Sequence, residues 1–386
     1  MAQTVIVDAV RTPIGRFGGG LLEHSAADLA THVAKALLER NHVPPERVDE
    51  VILGQVLQAG AGMNVARMAA LRAGLPVTVT AYTVNMACAS GMAAIAQARD
   101  RILLGQGALY VAGGTESMSN VPFFSRDVRW GHKLGNVELT DGVMDGLTCS
   151  ITGLGMGLTA ERIAERTGIS REEMDAWALR SQERALAALA AGTFGAEIVP
   201  VPRRRDEPLM VDEHPRQTSL EALASLKPAF KPDGCITAGN ASGINDGAAA
   251  VLLVEGRMAG EMGWATRAEV VGVAAAGVEP EVMGLGPVPA VRKLCDRLGC
   301  TPRDFELVEL NEAFAVQALA VIRELGLDEE LVNVNGSGIA LGHPIGATGA
   351  RIVVSLLYEM ERRDARLGLA TLCVGGGMGM ALALRR

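Results

Sequence analysis

Two stretches of this chain follow one plan. Val84-Asn85, a glycine-bearing turn, a helical run and a strand-like run at 109–114 are matched by Val334-Asn335, a longer glycine-rich turn, a helical run and a strand-like run at 370–377. A repeat of this length predicts an internal duplication into two α/β halves. Short apolar runs bounded by Gly or Asp, at 4–10, 50–55 and 108–113, alternate with helical patterns at 26–40, 63–73 and 92–104. That alternation is the order of an α/β fold. Two such halves packed together bring their strand-to-helix loops to a shared crevice, where open α/β sheets bind ligands.

At 386 residues the chain exceeds what a single core usually serves, roughly 250–300 residues, so more than one core-forming unit is expected. Aromatics are only 3% while glycines number 46, which describes an interior of Ala, Val, Leu and Gly. Residues 118–245 read differently from the halves, with a polar stretch at 126–141, helical segments and a basic run at 203–205. The expected division is residues 1–117 with 246–265 as one half, 118–245 as an inserted loop domain, and 266–386 as the other half. Inside the insertion, Ser170-Arg171-Glu172-Glu173 is a capping-box pattern ahead of an amphipathic run at 174–190. Residues 128–140, with Gly131 and Gly135-Asn136 between strand-like flanks, read either as a hairpin reaching a partner subunit or as a plain surface loop.

A net charge of −8 gives no general attraction to nucleic acid or to an anionic membrane. The basic run at 203–205 reads as a solvated face. No run approaches the ~20 apolar residues of a membrane span, and the first residues read as a strand rather than a signal peptide, so a cytoplasmic protein is expected. Six cysteines, none in a C-x-x-C pair, are too sparse and irregular for a disulfide framework and read as reduced thiols. Cys149, Cys235, Cys295 and Cys300 read as small core residues. His24, His32, His42, His132 and His214 lack a supporting motif.

Three glycine-bordered segments carry chemistry: Asn85-Met86-Ala87-Cys88-Ala89-Ser90-Gly91, Gly342-His343-Pro344 and Cys373-Val374-Gly375-Gly376-Gly377-Met378-Gly379. Cys88 falls where a strand-like run turns into a helix, so the helix N-terminus is expected to lower its pKa and to offer N–H donors to an oxyanion. Asn311-Glu312-Ala313-Phe314 follows another strand-like run and joins the same rim. A nucleophilic thiol, an imidazole, a second thiol and an amide able to hold a water suit acyl transfer followed by carbon–carbon chemistry.

With these motifs the chain resembles a thiolase over essentially its whole length, from Arg11-Thr12-Pro13-Ile14-Gly15 to the glycine run at 375–377. The resemblance implies duplicated α/β halves in a layered αβαβα core, with the inserted loop domain binding CoA. It is closest to the short-chain biosynthetic type and implies a Claisen condensation of two acetyl-CoA to acetoacetyl-CoA and CoA, without metal or redox cofactor. A degradative 3-ketoacyl-CoA thiolase taking longer chains is the alternative. By the same resemblance Cys88 carries the acyl group, and Cys373 protonates departing CoA and later takes the α-proton. His343 supports the Cys88 thiolate and, with a water on Asn311, holds the enolate oxygen. The N–H groups of Cys88 and Gly375 form the second oxyanion hole.

Thr237-Ala238-Gly239-Asn240-Ala241-Ser242-Gly243 matches the family's pantetheine-binding turn. This implies contacts from Ala238 and Ser242, apolar walls from Leu147, Met156, Phe230, Ala313 and Phe314, and a basic contact to the nucleotide end from Arg216. The segment at 128–140 resembles the hairpin through which tetrameric thiolases join two dimers, which implies a homotetramer. One position departs from the pattern. Short-chain members commonly read His-Met-Gly where this chain has Gly155-Met156-Gly157, ahead of Thr159-Ala160-Glu161.

Overall fold

The computed structural model describes residues 3–386. Its strands follow one path: Leu307–Leu310, Leu367–Val374, Met378–Arg385, Ala268–Gly277, Thr4–Arg11, Asn245–Glu255, Leu109–Ser117, Glu50–Gly54 and Thr80–Val84. The path divides into two similar sheets, joined among the described residues where Val5 and Ile6 pair with Glu269 and Ala268. In each sheet a parallel set is followed by two antiparallel pairings.

The register makes the duplication concrete. Gly54 pairs with Gly114 in one half and Leu310 pairs with Thr371 in the other, both in parallel. Counting onward, Gln55 corresponds to Asn311 and Glu116 to Cys373. Gly54 also pairs with Val84, and Val308 bridges Val332, so Val84 corresponds to Val334 as the sequence pattern predicts.

Five layers follow from which face each strand residue takes. Helices Ala26–Arg40 and Val65–Arg72 cover the outer face of the first sheet over Val51, Leu53, Val111 and Leu252. Helices Pro287–Leu298 and Ala315–Leu325 cover the outer face of the second over Val308, Leu310 and Leu369. Between the sheets lie Ser90–Leu103 and Ile345–Arg363, packed against Ile52, Tyr110 and Leu253 from one side and Leu307, Ala370 and Leu382 from the other. The alternation of inward and outward positions is the period of the strand itself. The central helices touch through small residues: a Cβ on Gly91 would lie 2.9 Å from the Ala350 nitrogen, and one on Gly349 would lie 2.6 Å from the Met92 nitrogen.

The segment between Ser117 and Asn245 has little sheet. Its longest helix, Arg171–Ala190, starts at Ser170 with the capping box in place, the Ser170 side chain accepting from the Glu173 N–H. The hairpin expected at 128–140 is different in form. Strand pairing is confined to Phe123–Phe124 with Thr140–Asp141, and the span between them holds one 3-10 turn at Val128–Trp130 and is exposed from Glu138 back to Asp127. Its apolar side chains are exposed and belong to no core cluster among the described residues, so little holds strands together there.

Candidate active site

The C-terminal strand ends of both sheets and the helices that follow them meet at one rim. Cys88 comes from the turn after Thr80–Val84, two residues ahead of Ser90, the first residue of its helix. Ala87 takes a left-handed backbone, φ 43°, which makes the turn sharp and presents the next side chain. Ser90 Oγ secures the turn, accepting from the Met86 N–H at 2.9 Å and donating to the Ala87 carbonyl at 2.6 Å.

The expected lowering of the Cys88 pKa is not found. Burial raises it, and N–H bonds from Gly375 and from Cys88 itself offset that only in part, while the charge of Glu116 adds to the rise. Standing ahead of the helix, the sulfur gains two N–H donors but also loses water, and the desolvation is larger. The Gly375 donor is informative because it comes from the other half. All six cysteines are free thiols.

Gly375 follows strand Leu367–Val374, whose penultimate residue is Cys373. Cys373 is fully buried, and burial together with the charge of Cys88 pushes its thiol well above the ordinary value. The two sulfurs therefore feel one another across the junction of the halves. The chain leaves through Gly376 and Gly377, at φ 86° and 89°, into Met378–Arg385.

His343 stands at the register counterpart of the Cys88 turn, ahead of helix Ile345–Arg363. Its loop can approach closely because Gly342 lacks a side chain: at φ 102°, a Cβ there would lie 2.5 Å from Asn245 Cγ. Asn245 Oδ1 in turn accepts the His343 N–H at 3.0 Å. The imidazole Nδ1 lies 2.7 Å from Thr348 Oγ1, and Nε2 lies 3.5 Å from Asn311 Nδ2. Thr348 Oγ1 donates to the Pro344 carbonyl at 2.9 Å, so the network assigns the ring proton to Nδ1 and leaves the Nε2 lone pair facing the rim. Burial and the charge of Arg351 hold the imidazole neutral, with its pKa down to about 3. Asn311 Oδ1 is buried without a protein partner among the described residues.

A cavity of 180 Å³ opens at Cys88, lined by Leu147, Met156, Gly375, Val56, Ile345 and Cys149 among others. Met156 is fixed there by its N–H on the Leu147 carbonyl at 2.9 Å. The other expected wall residues form a connected surface. Ser242 donates its N–H to the Ala313 carbonyl at 2.9 Å, Ala241 bridges Phe314, and Phe230 meets Phe314 edge-on at 6.2 Å. Arg216 donates to the Ala238 carbonyl at 3.3 Å and so lies beside the same turn.

Comparison with known proteins identifies the family. The family model Thiolase, N-terminal domain, matches residues 4–257, and Thiolase, C-terminal domain, matches 264–386. The chain belongs to the thiolase family. It is 53% identical to an acetyl-CoA acetyltransferase of Chromobacterium violaceum and 50% identical to one of Escherichia coli K12, each over 100% of both chains. Among solved structures it is similar to the Bacillus anthracis acetyl-CoA acetyltransferase, with TM-score 0.97 and 49% identity, covering 100% of this chain and 99% of that one. Human mitochondrial 3-ketoacyl-CoA thiolase superposes with the same TM-score, 0.97, at 43% identity, covering 100% and 98%.

In this thiolase, sequence reasoning missed several groups at the rim. Cys149, read as a core thiol, is buried as expected but lines the Cys88 cavity. Burial alone raises its thiol, yet the Thr152 hydroxyl and N–H and the Ile151 N–H outweigh it and hold the pKa below the ordinary value. Thr348 and Asn245, which fix His343, and Glu116, which holds Val56, also went unread. The signal for Thr348 lay in its place five residues after His343, in the first turn and a half of a helix.

Proposed function

We propose that this thiolase joins two acetyl-CoA molecules into acetoacetyl-CoA and CoA, and runs the reverse thiolysis. The observation that carries this reading is the meeting of halves at one sulfur. Cys88 of the first half and Gly375 of the second line one cavity, and the Cys88 charge bears on Cys373. Full-length identity to acetyl-CoA acetyltransferases supports the choice of acyl group.

In the first step the neutral His343 takes the Cys88 proton at Nε2, and the sulfur attacks the thioester carbonyl. The N–H groups of Cys88 and Gly375 receive the developing oxyanion. The carbon–sulfur bond to CoA breaks, and Cys373 gives its proton to the departing thiolate. In the second step the Cys373 thiolate removes a proton α to the carbonyl of a second acetyl-CoA. The enolate oxygen is held by the Nε2–H of His343 and by a water on Asn311, whose Oδ1 has no partner among the described residues and whose Nδ2 lies 3.5 Å from Nε2. The new carbon–carbon bond forms at the acetyl carbon, and Cys88 leaves as thiolate.

The CoA arm runs along Leu147, Met156, Phe230, Ala238, Ser242, Ala313 and Phe314, with Arg216 toward its nucleotide end. This chemistry draws on thiols, an imidazole and backbone donors and calls for no metal or redox cofactor. Six unpaired thiols suit a reducing, cytoplasmic setting. Acetyl-CoA alone should give acetoacetyl-CoA with one CoA released per condensation. On thiolysis, acetoacetyl-CoA should be the best substrate, with a six-carbon 3-ketoacyl-CoA used at lower kcat/KM. A higher kcat/KM for the six-carbon chain would move the enzyme to the degradative class.

A further inference from the structure

Glu116 is the register counterpart of Cys373, two residues beyond the paired Gly114 as Cys373 is two beyond Thr371. The duplicated site thus carries an acid/base thiol in one half and a carboxylate in the other. That carboxylate is fully buried and forms no ion pair among the described residues. It accepts instead from three backbone N–H groups: Val56 at 3.0 Å, Leu57 at 3.2 Å and Gly346 at 3.0 Å. Val56 and Ile345, the residue before Gly346, both line the Cys88 cavity. Gly346 permits the approach, since a Cβ on it would lie 2.7 Å from Glu116 Oε2.

We propose that Glu116 is a positioning residue of the acyl-transfer site: it ties the Val56 wall and the first turn of the His343 helix to the strand beneath them, and its negative charge bears on the Cys88 sulfur. This rests on the reading of Cys88 as the nucleophile. Burial raises the carboxyl to about 7, against the three N–H bonds and with help from Asp246. The titratable groups that bear on it are Asp246 on the neighbouring strand and Cys88 ahead of one central helix. In the resting enzyme His343 is neutral, so the charge that Cys88 meets from this side is carboxylate.

Glu116→Gln keeps the length, removes the charge and leaves one end an NH2 that cannot accept from its N–H partners, and Glu116→Asp keeps the charge on a shorter arm. Alkylation of Cys88 by iodoacetamide, followed by the mass of its peptide across pH, needs no turnover. The Gln enzyme, folded by circular dichroism, should alkylate Cys88 about 2- to 5-fold faster near pH 8, with the profile moved to lower pH. The Asp enzyme should keep the wild-type profile. Both should lose kcat, on the order of 10-fold, with KM for acetoacetyl-CoA little changed, because the walls are misplaced and not the CoA arm. An unmoved alkylation profile in the Gln enzyme, or an unchanged kcat in both, would overturn the proposal. Failure of the underlying reading would show separately, as activity surviving in Cys88→Ala.

Discussion

His343 sits in a cage that fixes its ring without a charge partner. Thr348 holds Nδ1, Asn311 faces Nε2, and burial keeps the ring neutral down to about pH 3. Thr348→Val removes the partner of a buried Nδ1–H and should cost about 1–3 kcal/mol in urea unfolding. It should also lower kcat, because the ring can turn. The sign of the pH effect on stability follows from the same shift. The unfolded chain binds a proton here below about 6.5, whereas the folded chain does so only near about 3. Stability therefore falls as pH drops through that window. His343→Gln should flatten this fall by on the order of 2 kcal/mol between about pH 6.5 and 4.5, read from unfolding midpoints. At Gly155, the departure from the family pattern, nothing lies within 4 Å of an added Cβ. Gly155→His should fold normally and raise the preference for acetoacetyl-CoA over the six-carbon chain, by about 5-fold or more in kcat/KM. An unchanged ratio would show that the specificity lies in Leu147, Met156 and their neighbours instead. Cys88, His343 and Cys373 were legible because each sits in a glycine-bordered motif. Cys149 was not, because its thiol closes a turn with Thr152, and no spacing rule announces such a contact.

At the scale of elements, the sequence is plainest where local chemistry decides. Helix Ala26–Arg40 begins behind Ser25 and ends at Asn41 as its pattern predicts, and the Ser170 capping box starts its helix as expected. Strand Leu109–Ser117 runs three to four residues past the expected ends at Gly113 and Gly114, because those glycines read as a stop. Tertiary contact reverses that reading. A Cβ on Gly114 would run into the Gly346 carbonyl oxygen, so Gly114 lets the strand reach the central helix, while Gly113 lets it lie close against Ala249 and Ala250 of the neighbouring strand. Gly114→Ala meets main chain that cannot turn aside and should destabilise the fold by about 3 kcal/mol, with acyl transfer impaired by the shift of Gly346. An alanine tolerated there with normal kcat would mean that the two halves are less tightly registered than their pairing implies.

For the whole molecule, the segment at 128–140 is the feature the isolated chain does not explain. Trp130 is 89% exposed and Leu134 92%, with Val128, Val137 and Leu139 also open to solvent. Such a cluster is unusual on a monomer's surface and supports the homotetramer that the resemblance implies, with this segment joining two dimers. Light scattering should report four subunits, falling to two when the segment is replaced by a short Gly-Ser link. The central claim is that one site is assembled from two halves, with Cys88 holding the acyl group and Cys373 moving the proton. Mass spectrometry of Cys373→Ala after mixing with acetyl-CoA tests it most directly. The account predicts an acetyl group on the Cys88 peptide that persists, with no acetoacetyl-CoA formed. An acetyl group on another cysteine, or condensation continuing without Cys373, would contradict it.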